Sequence, residues 1–263
     1  MWRSTTTSEN LPRSWKRFWL KLYNSLNFSV IHKTLQFMVS AMRKGTSSFY
    51  ERYGKRFLDI TLASVALLLL LPVAIAIALA IRLTMGSPVI FRQVRPGLYG
   101  KPFVLYKFRT MLDLRDEQGN LLPDERRLTK LGRFLRRLSL DEIPELWNVL
   151  KGDMSLVGPR PLLMEYLPLY TSEQARRHEV KPGMAGPVIM SGRNILDWEE
   201  KFNLDVWYVN NLSFFLDMKI LFLTAWKVLR GEGVSHPGYE TMPKFQGSKG
   251  WGSTSSERAD TQR

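Results

Sequence analysis

The longest apolar segment of the chain runs from Ile60 to Ile81, which are 22 consecutive residues without a charged side chain. A helix of this length spans about 33 Å, which is enough to cross the hydrocarbon core of a bilayer. The segment starts too far along the chain for a cleavable signal peptide, and no small-residue cleavage pattern ends it. The pattern therefore predicts a membrane helix, with a buried helix of a soluble core as the alternative.

Basic residues flank this segment on both sides. Lys55 and Arg56 lie shortly before it, and six more lie from Arg82 to Arg109, before the first acid that follows the segment. Cationic flanks prefer the cytoplasmic side, so a single crossing would leave one flank on the wrong side. Pro72, near the middle of the segment, removes a backbone N–H and favours a bend. We therefore expect a re-entrant membrane helix over residues 51–82, kinked at Pro72.

The pattern of residues 1–50 predicts a basic amphipathic extension. Aromatic and aliphatic residues recur there at spacings of three and four, with lysines and arginines between them. This pattern is typical of a helix on a membrane surface, and it also suits a helix packed on the protein's own core. The recurring positions are Trp15, Phe18, Trp19, Leu22 and Leu26.

The pattern after the apolar segment predicts a mixed domain over residues 83–235. Two short runs rich in β-branched and aromatic residues flank a Pro-Gly pair and predict a β-hairpin. The fold class we expect is α/β and mainly helical, anchored by the re-entrant hairpin and by amphipathic surface helices. Residues 236–263, rich in Gly, Ser and charge, are expected to be disordered. The predicted strands are 88–94, 103–108 and 188–190, and the predicted helices are 128–138, 141–150, 162–178, 198–210 and 213–229.

The charge of the chain favours an anionic partner. The formal net charge is +14, and the first 56 residues, with eleven Lys or Arg and two acids, account for +9 of it. Nucleic acid, an acidic lipid surface and phosphorylated substrates all suit this balance. The chain has no cysteine and three separated histidines, which excludes thiolate chemistry and disfavours a histidine-rich metal site. A hard cation held by carboxylates and phosphates remains open.

Two adjacent carboxylates, Asp141 and Glu142, stand out in the segment RRLSLDEIPELWN. One interpretation is a helix cap, in which Ser139 caps the helix and Glu142 reaches back. The other is chemical, because arginines bind phosphates bidentately and a carboxylate can form an acyl phosphate. The second carboxylate could then hold a metal ion or a proton. The local pattern leaves both interpretations open.

A second candidate is Arg160, which lies between Pro159 and Pro161. The two prolines fix the backbone on either side and hold the arginine at little entropic cost. A guanidinium placed in this way suits a phosphate clamp, although an ordinary turn with a surface arginine has the same sequence. P-loop, GxGxxG, HExxH and GxSxG motifs are absent from the sequence, which disfavours NTPase, Rossmann and common hydrolase functions.

Over about two-thirds of its length the chain resembles the monotopic phosphoglycosyl transferases, the bacterial sugar transferases. The resemblance is carried, in order, by KRFLDI, the apolar segment with its central proline, PVIFRQVRPG, YKFRTM, LSLDEIPELWNVLKGDMSLVGPRP, KPGMAG and WEEKFNLDVWYV. It implies transfer of a sugar 1-phosphate from a UDP-sugar to a polyprenyl phosphate, with release of UMP. It also implies a location on the cytoplasmic face of the bacterial inner membrane, in contact with its lipids.

The resemblance also implies residue roles. Asp141 would be the nucleophile that takes the phosphosugar, and Glu142 its partner, the two carboxylates also serving Mg²⁺. Asp205 would be a further active-site acid. Leu71-Pro72 replaces the Ser-Pro of some members, so the kink is kept without the serine hydroxyl. The phosphate-binding residues implied are Lys107, Arg136 and Arg160.

Two other classes of function compete with this one. The charge suits a membrane-tethered nucleic-acid binder, but no RRM, helix-turn-helix or zinc-finger pattern supports it, so we expect no nucleic-acid partner. A structural membrane protein would use Asp141 and Glu142 as a cap alone. The sequence indicates neither the sugar nor the oligomeric state, for which a homodimer is one candidate.

Overall fold

A computed structural model describes residues 49–191, 196–230 and 244–247. The chain divides into two units, Met1–Ser48 and Phe49–Arg263, and the described residues all belong to the second. The predicted amphipathic extension therefore lies, apart from its last two residues, outside the described residues.

The apolar segment forms one long helix. After a π-helical turn at Tyr50–Gly54, helix α1 runs over Lys55–Met85, with Pro72 inside it. The segment is long and apolar enough to cross a membrane, and 11% of its most apolar window is buried against the protein. A core helix of a soluble protein would have most of this surface covered, so the low burial argues against that alternative.

Both ends of α1 are attached to the same domain. Near its start, the Asp59 carboxylate accepts hydrogen bonds from the Ser155 hydroxyl at 3.0 Å and the Leu156 N–H at 2.9 Å. At its end, the Met85 carbonyl accepts a hydrogen bond from Arg109 at 3.3 Å. These contacts join the first and last turns of α1 to one folded unit.

The predicted β-hairpin is confirmed. Strands β1 (Ile90–Pro96) and β2 (Pro102–Phe108) pair antiparallel, with Ile90 opposite Phe108. A 3₁₀ turn, Leu98–Gly100, connects them, and Tyr99 and Gly100 have positive φ angles in it. The hairpin places Lys107 near the end of β2.

Helix α2 (Asp124–Arg127) and helix α3 (Lys130–Arg137) come next, and α3 matches the predicted basic helix. The helix predicted at 141–150 is interrupted. A 3₁₀ turn occupies Leu140–Glu142, and helix α4 begins later, at Glu145–Lys151. Pro144 explains the break, because it lacks the N–H that a continuous helix would need.

The expectation that Ser139 caps a helix is wrong. Ser139 has φ +53°, in the left-handed region, and its side chain makes no capping hydrogen bond. Its backbone N–H donates to the Arg136 carbonyl at 3.2 Å. The residue therefore ends α3, and its carbonyl, not its side chain, accepts a hydrogen bond from the Glu142 N–H of the next 3₁₀ turn at 3.2 Å.

A small parallel sheet joins strands β3 (Ser155–Val157) and β4 (Gly183–Ala185). The backbones approach so closely that a Cβ on Gly183 would lie 2.0 Å from the Gly158 nitrogen. The strand predicted at 188–190 is wrong, because a 3₁₀ turn over Pro187–Ser191 occupies that region. Glycine packing, rather than β-branched composition, decides where this strand forms.

The continuous helix predicted at 162–178 is also wrong. The structure has a 3₁₀ segment at Met164–Leu169, helix α5 at Ser172–Ala175, and a further 3₁₀ segment at Arg176–Glu179. Pro168 interrupts the hydrogen-bond ladder. Thr171 then starts a new helix, because its hydroxyl accepts a hydrogen bond from the Gln174 N–H at 3.2 Å.

The last two predicted helices are confirmed as α6 (Trp198–Asn211) and α7 (Phe214–Leu229). Phe245 departs from the predicted disorder of residues 236–263. Its side chain is 5% exposed and packs in an aromatic cluster with Tyr166, Trp198 and Phe202. Its backbone N–H donates to the Tyr166 hydroxyl at 3.1 Å. Burial of the aromatic ring stabilises this part of an otherwise polar tail.

Candidate active site

The Lys107 ammonium group is the centre of a compact charged cluster. Its Nζ lies 2.7 Å from Glu142 Oε1 and 3.0 Å from Glu145 Oε1. All three side chains are largely buried, which makes each charge depend on the others. Strand β2 thus brings its cation to the 3₁₀ turn and to the start of α4.

A buried amide aligns these elements. Asn148 is fully buried, donates to the Val104 carbonyl at 2.7 Å and accepts from the Tyr106 N–H at 3.1 Å. These bonds attach α4 to the edge of β2. Because Glu145 lies in the turn before Asn148, the same bonds hold Glu145 beside Lys107.

Arg160 meets the cluster from the other side. Its guanidinium donates a hydrogen bond to Glu142 Oε1, and the side chain is 54% exposed. Pro159 and Pro161, on either side of it, are buried. An arginine with a fixed backbone and an open guanidinium face can bind a phosphate while it remains paired with Glu142.

Asp141 differs from the other acids of the cluster. Its side chain is mostly buried, yet within the described part of the chain its carboxylate accepts no hydrogen bond and forms no ion pair. Burial raises its pKa above the ordinary value; the charges of Lys107, Arg136 and Arg160 oppose this shift, and the charge of Glu142 adds to it. The result is a carboxylate without a hydrogen-bond partner that lies near three cations and one anion, and a bound phosphate would bring further negative charge to the same cations.

Glu142 has the opposite electrostatic environment. Burial disfavours its ionisation, but the positive charges of Arg160 and Lys107 outweigh that effect and hold its pKa below the ordinary value. For Glu145, burial and the Glu142 charge raise the pKa to about 7. The adjacent acids Asp141 and Glu142 are therefore unequal: one carboxylate is free, and the other is fixed between two cations.

Arg136 is held in place by the approach of α3 to the chain after β2. A Cβ on Gly132 would lie 2.0 Å from the Thr110 carbonyl oxygen, so glycine is required at this contact. The Arg136 Nε then donates to the Thr110 hydroxyl at 3.1 Å. The structure thus brings all three predicted phosphate-binding cations near Asp141.

Asp205 is placed differently from the other predicted residues. Its carboxylate accepts hydrogen bonds from Arg177 Nε at 3.0 Å and Nη2 at 2.7 Å, and both side chains are buried. Arg177 also donates to the Arg160 carbonyl at 2.9 Å. Asp205 thus reaches the cluster through Arg177, and a direct role as an active-site acid stays a prediction.

Sequence reasoning missed Glu145 and Arg177. Glu145 follows Glu142 by three residues, a spacing that puts two side chains on one side of a helical turn, and this signal could have revealed it. Arg177 gives no local signal, because its partners Asp205 and Arg160 are 28 and 17 residues away.

The acids available for a metal are few. Among the described residues, no group of three His, Asp or Glu side chains is arranged to hold a metal ion. Mg²⁺ commonly uses one or two carboxylates and completes its octahedron with phosphates and water. Asp141 and Glu142, next to cations suited to phosphate, fit that pattern of binding.

The described residues thus combine a long exposed apolar helix with a buried carboxylate that lies near three cations. The bacterial sugar transferase family matches residues 50–231, which is more than half of the chain. The chain belongs to this family and is a sugar transferase enzyme.

Several relatives share most of this region. An uncharacterized sugar transferase EpsL of Bacillus subtilis is 63% identical over 74% of this chain and 96% of its own length. The Salmonella typhimurium undecaprenyl-phosphate galactose phosphotransferase is 37% identical over 81% of this chain and 48% of its own length. The Escherichia coli UDP-glucose:undecaprenyl-phosphate glucose-1-phosphate transferase is 39% identical over 76% of this chain and 46% of its own length. The chain therefore spans about half of these two longer relatives.

Proposed function

We propose that the protein transfers a sugar 1-phosphate from a UDP-sugar to a polyprenyl phosphate such as undecaprenyl phosphate, with release of UMP. The names of the Salmonella and Escherichia relatives, which share the family region, support these substrates. The structural observation that carries the proposal is the unpartnered Asp141 carboxylate among Lys107, Arg136 and Arg160. The product, a polyprenyl diphosphate sugar, would be the first lipid-linked intermediate of a surface polysaccharide or a glycoprotein glycan.

In the first step, an Asp141 carboxylate oxygen attacks the phosphorus atom that carries the sugar. A P–O bond of the diphosphate breaks, UMP leaves, and an aspartyl-phosphosugar remains. The reaction needs the carboxylate ionised and the charge of the phosphate oxygens neutralised. Arg160, with half of its side chain exposed, and Arg136 supply the positive charge, and Lys107 holds Glu142 in place.

In the second step, a phosphate oxygen of the polyprenyl phosphate attacks the same phosphorus atom. The bond to Asp141 breaks, the diphosphate linkage to the lipid forms, and the carboxylate is restored. No net proton is gained or lost by the enzyme. Two displacements at one carboxylate let UMP leave before the lipid acceptor arrives.

We propose that Mg²⁺ assists the reaction, held by Asp141 and Glu142 together with substrate phosphate oxygens. When bound, it would neutralise charge on the phosphates. The cations of the chain act alongside it: Arg160 binds Glu142 and a phosphate, and Arg136 stays fixed by Thr110.

We further propose that the enzyme is monotopic, with α1 entering and leaving the bilayer on the cytoplasmic face. The hydrogen bonds at Asp59 and Met85, at opposite ends of α1, support this arrangement. A straight helix of 31 residues would be about 46 Å long, and a crossing would separate its ends by the bilayer. A domain on one side of the bilayer could not bind both ends of a crossing helix, whereas a helix bent near Pro72 would return to the same face.

Replacement of the nucleophile tests the proposed chemistry. We expect Asp141→Asn to abolish UMP release from a panel of UDP-sugars with undecaprenyl phosphate and Mg²⁺, and to leave folding and membrane association intact. Mass spectrometry of the wild-type enzyme quenched with donor alone should find the phosphosugar on Asp141. Asp113→Asn, an exposed acid of the same type, is the matched control and should keep its activity.

Two results would contradict this mechanism. If Asp141→Asn still released UMP, Asp141 would not be the nucleophile. A loss of about 1 kcal/mol of stability with activity retained would instead indicate that Asp141 is a helix cap.

A further inference from the structure

Arg95 is a half-buried cation beside the charged cluster, and the mechanism above does not use it. It lies near the end of β1, where its Nη2 donates a hydrogen bond to the Gln93 side-chain oxygen at 2.6 Å. Its Nη1 donates a long hydrogen bond to the Pro161 carbonyl at 3.4 Å, and its buried Nε has no hydrogen-bond partner among the described residues. Within that part of the chain the guanidinium also forms no ion pair with a carboxylate. A buried donor without a partner costs free energy, which a bound anion would offset.

The positive charges of Arg95 and Arg160 lie close together. The Arg95 guanidinium contacts the carbonyl of Pro161, the residue that follows Arg160. Burial lowers the pKa of Arg95, and the charge of Arg160 is the next largest cause in the same direction. The guanidinium stays charged at neutral pH, because its ordinary pKa is far above 7. Two like charges held close together repel each other, so an anion bound beside them is stabilised by both.

The hairpin register places Arg95 and Lys107 on the same face of the β1–β2 pair. Arg95 lies opposite Phe103, and Lys107 lies opposite Phe91. Residues an even number of positions apart in a strand share a face, and the four positions between Phe91 and Arg95 span about 13 Å. The Glu145 carboxylate, which lies 3.0 Å from Lys107, also raises the pKa of Arg95 against the effect of burial. Arg95 therefore extends the charged cluster by one further cation.

The proposed reaction needs a cation at the second phosphate of the donor. In the first step Asp141 attacks the phosphorus atom that carries the sugar, and the electron pair of the breaking P–O bond passes to the bridging oxygen. That oxygen becomes a terminal oxygen of UMP, so negative charge develops on the leaving phosphate. A cation at this oxygen lowers the barrier, because it stabilises charge that is absent from the ground state. Arg136 and Arg160 serve the attacked phosphate, and the mechanism above assigns no residue to the leaving one.

We propose that Arg95 binds the donor phosphate that leaves as UMP, next to Arg160 at the attacked phosphate. The inference rests on the proposed function and adds a residue that contacts the leaving group. The hydrogen bond to Gln93 orients the guanidinium, and the long contact with Pro161 can be exchanged for a stronger, charge-assisted bond to a phosphate oxygen. Two arginines at adjacent phosphates favour a donor with a diphosphate linkage over a sugar that carries one phosphate.

Binding of UMP and of uridine, which lacks the phosphate, tests this role. Isothermal titration of the purified enzyme in the presence of Mg²⁺ compares the two ligands. We expect Arg95→Gln to weaken UMP binding about tenfold to a hundredfold, the range for a lost hydrogen bond to a charged group, and to leave uridine binding unchanged. Arg92→Gln, on the opposite face of β1 and exposed, is the matched control and should bind both ligands as the wild type does. A wild-type enzyme that binds UMP no more tightly than uridine would overturn the inference.

The two steps of the reaction distinguish a contact with the leaving group from support of the Arg160 backbone. UMP has left before the lipid acceptor reacts, so a residue that binds UMP affects the first step alone. We expect Arg95→Gln to slow the burst of UMP release with donor alone about tenfold to a hundredfold. Transfer from the preformed aspartyl-phosphosugar to undecaprenyl phosphate should keep its wild-type rate. Arg160 serves both steps, so an equal loss in both would show that Arg95 acts only through the Arg160 segment, against the proposed contact.

A second variant removes the dependence on one substitution, and thermal unfolding shows whether each variant is folded. Arg95→Lys keeps the positive charge but lacks the paired donors of a guanidinium. It should also bind UMP more weakly than the wild type and bind uridine equally well, and wild-type affinity for UMP in either folded variant would contradict the inference. A wild-type enzyme that releases no UMP from any UDP-sugar overturns the proposed function, and the leaving-group contact with it. An active enzyme in which Arg95→Gln keeps the wild-type first step overturns the contact alone.

Discussion

Lys107 balances two acids, and a different pKa results for each. Glu142 also binds Arg160, so it stays ionised, whereas the more buried Glu145 has Lys107 as its cation. Two carboxylates so close together do not both ionise easily. Of the two acids beside Lys107, Glu145 is the one whose pKa is raised. The Asp141 carboxylate has no hydrogen-bond partner among the described residues.

The raised pKa of Glu145 predicts a pH dependence of stability. The folded protein holds this proton up to about pH 7, whereas the unfolded chain loses it near the ordinary value of 4.5. The folded state therefore binds more protons between these values, and stability falls as the pH rises through this window. Because Glu145→Gln resembles the protonated form, we expect the variant to gain stability relative to the wild type from pH 5 to pH 8.

Thermal unfolding of the purified enzyme at several pH values measures this effect. Its size is about 1.4 kcal/mol for each unit of pKa shift. Glu117→Gln, at an exposed position, serves as the control and should follow the wild-type curve. Parallel curves for the wild type and Glu145→Gln would show that the buried acid does not titrate in this range.

At the scale of elements, the parallel pair β3–β4 determines where the Arg160 segment lies. The Gly158 N–H donates to the Ala185 carbonyl at 3.0 Å, and the Gly183 N–H donates to the Pro159 carbonyl at 3.0 Å. These bonds continue the pairing of β3 and β4 to the residue before Arg160. The close contact between the backbones of Gly183 and Gly158 thus helps to position Arg160.

A methyl group at this contact should disturb the site. The Cβ of Gly183→Ala would meet the backbone of Gly158 at 2.0 Å, where no flexible side chain can move away. We expect a loss of stability of about 1–3 kcal/mol and a marked loss of UMP release, because Arg160 shifts with its backbone.

Gly186→Ala provides the matched control for this variant. Its Cβ would make ordinary contacts, at 3.6 Å to the Gly158 oxygen and 3.9 Å to the Arg160 nitrogen. Thermal unfolding and the UMP assay should therefore give values close to those of the wild type. If Gly183→Ala and Gly186→Ala had the same stability and the same UMP release, close packing at Gly183 would not be what positions Arg160.

At the scale of the whole molecule, the start of α1 is joined to the rest of the domain by a buried polar network. Lys55 Nζ lies 2.6 Å from Asp217 and donates to the Val157 carbonyl at 2.9 Å. Tyr208 donates to Asp217 at 2.7 Å. The network connects α1, β3, α6 and α7, so it attaches the start of the apolar helix to the strand that leads to Arg160.

The proposed monotopic arrangement predicts the accessibility of single cysteines. The chain has no native cysteine, so Glu51→Cys before α1, Ser87→Cys after it and Glu117→Cys in the domain each give one reporter. We expect a membrane-impermeant maleimide to label none of them in intact cells and all three in inverted vesicles. Labelling of Glu51→Cys and Ser87→Cys from opposite sides would indicate a crossing helix.

Local pattern predicted the parts of the site that depend on neighbours in sequence. The hairpin, the basic helix with Arg136, and the adjacent acids Asp141 and Glu142 follow from short-range periodicity and charge, whereas Lys107 and Asp205 were named only through the family resemblance. The same reasoning failed at Ser139, because a left-handed turn and a cap use the same residue types. It also overlooked Glu145, whose importance depends on a cation from another element.

Sequence alone determined the apolar helix, the mainly helical α/β class and the candidate charges, since length, periodicity and residue type are local properties. The tertiary structure decided which of these charges meet. It left Asp141 free, fixed Glu142 between Lys107 and Arg160, and paired Asp205 with Arg177. Such choices depend on contacts between residues far apart in the chain, where burial and competing partners set the energy of each charge.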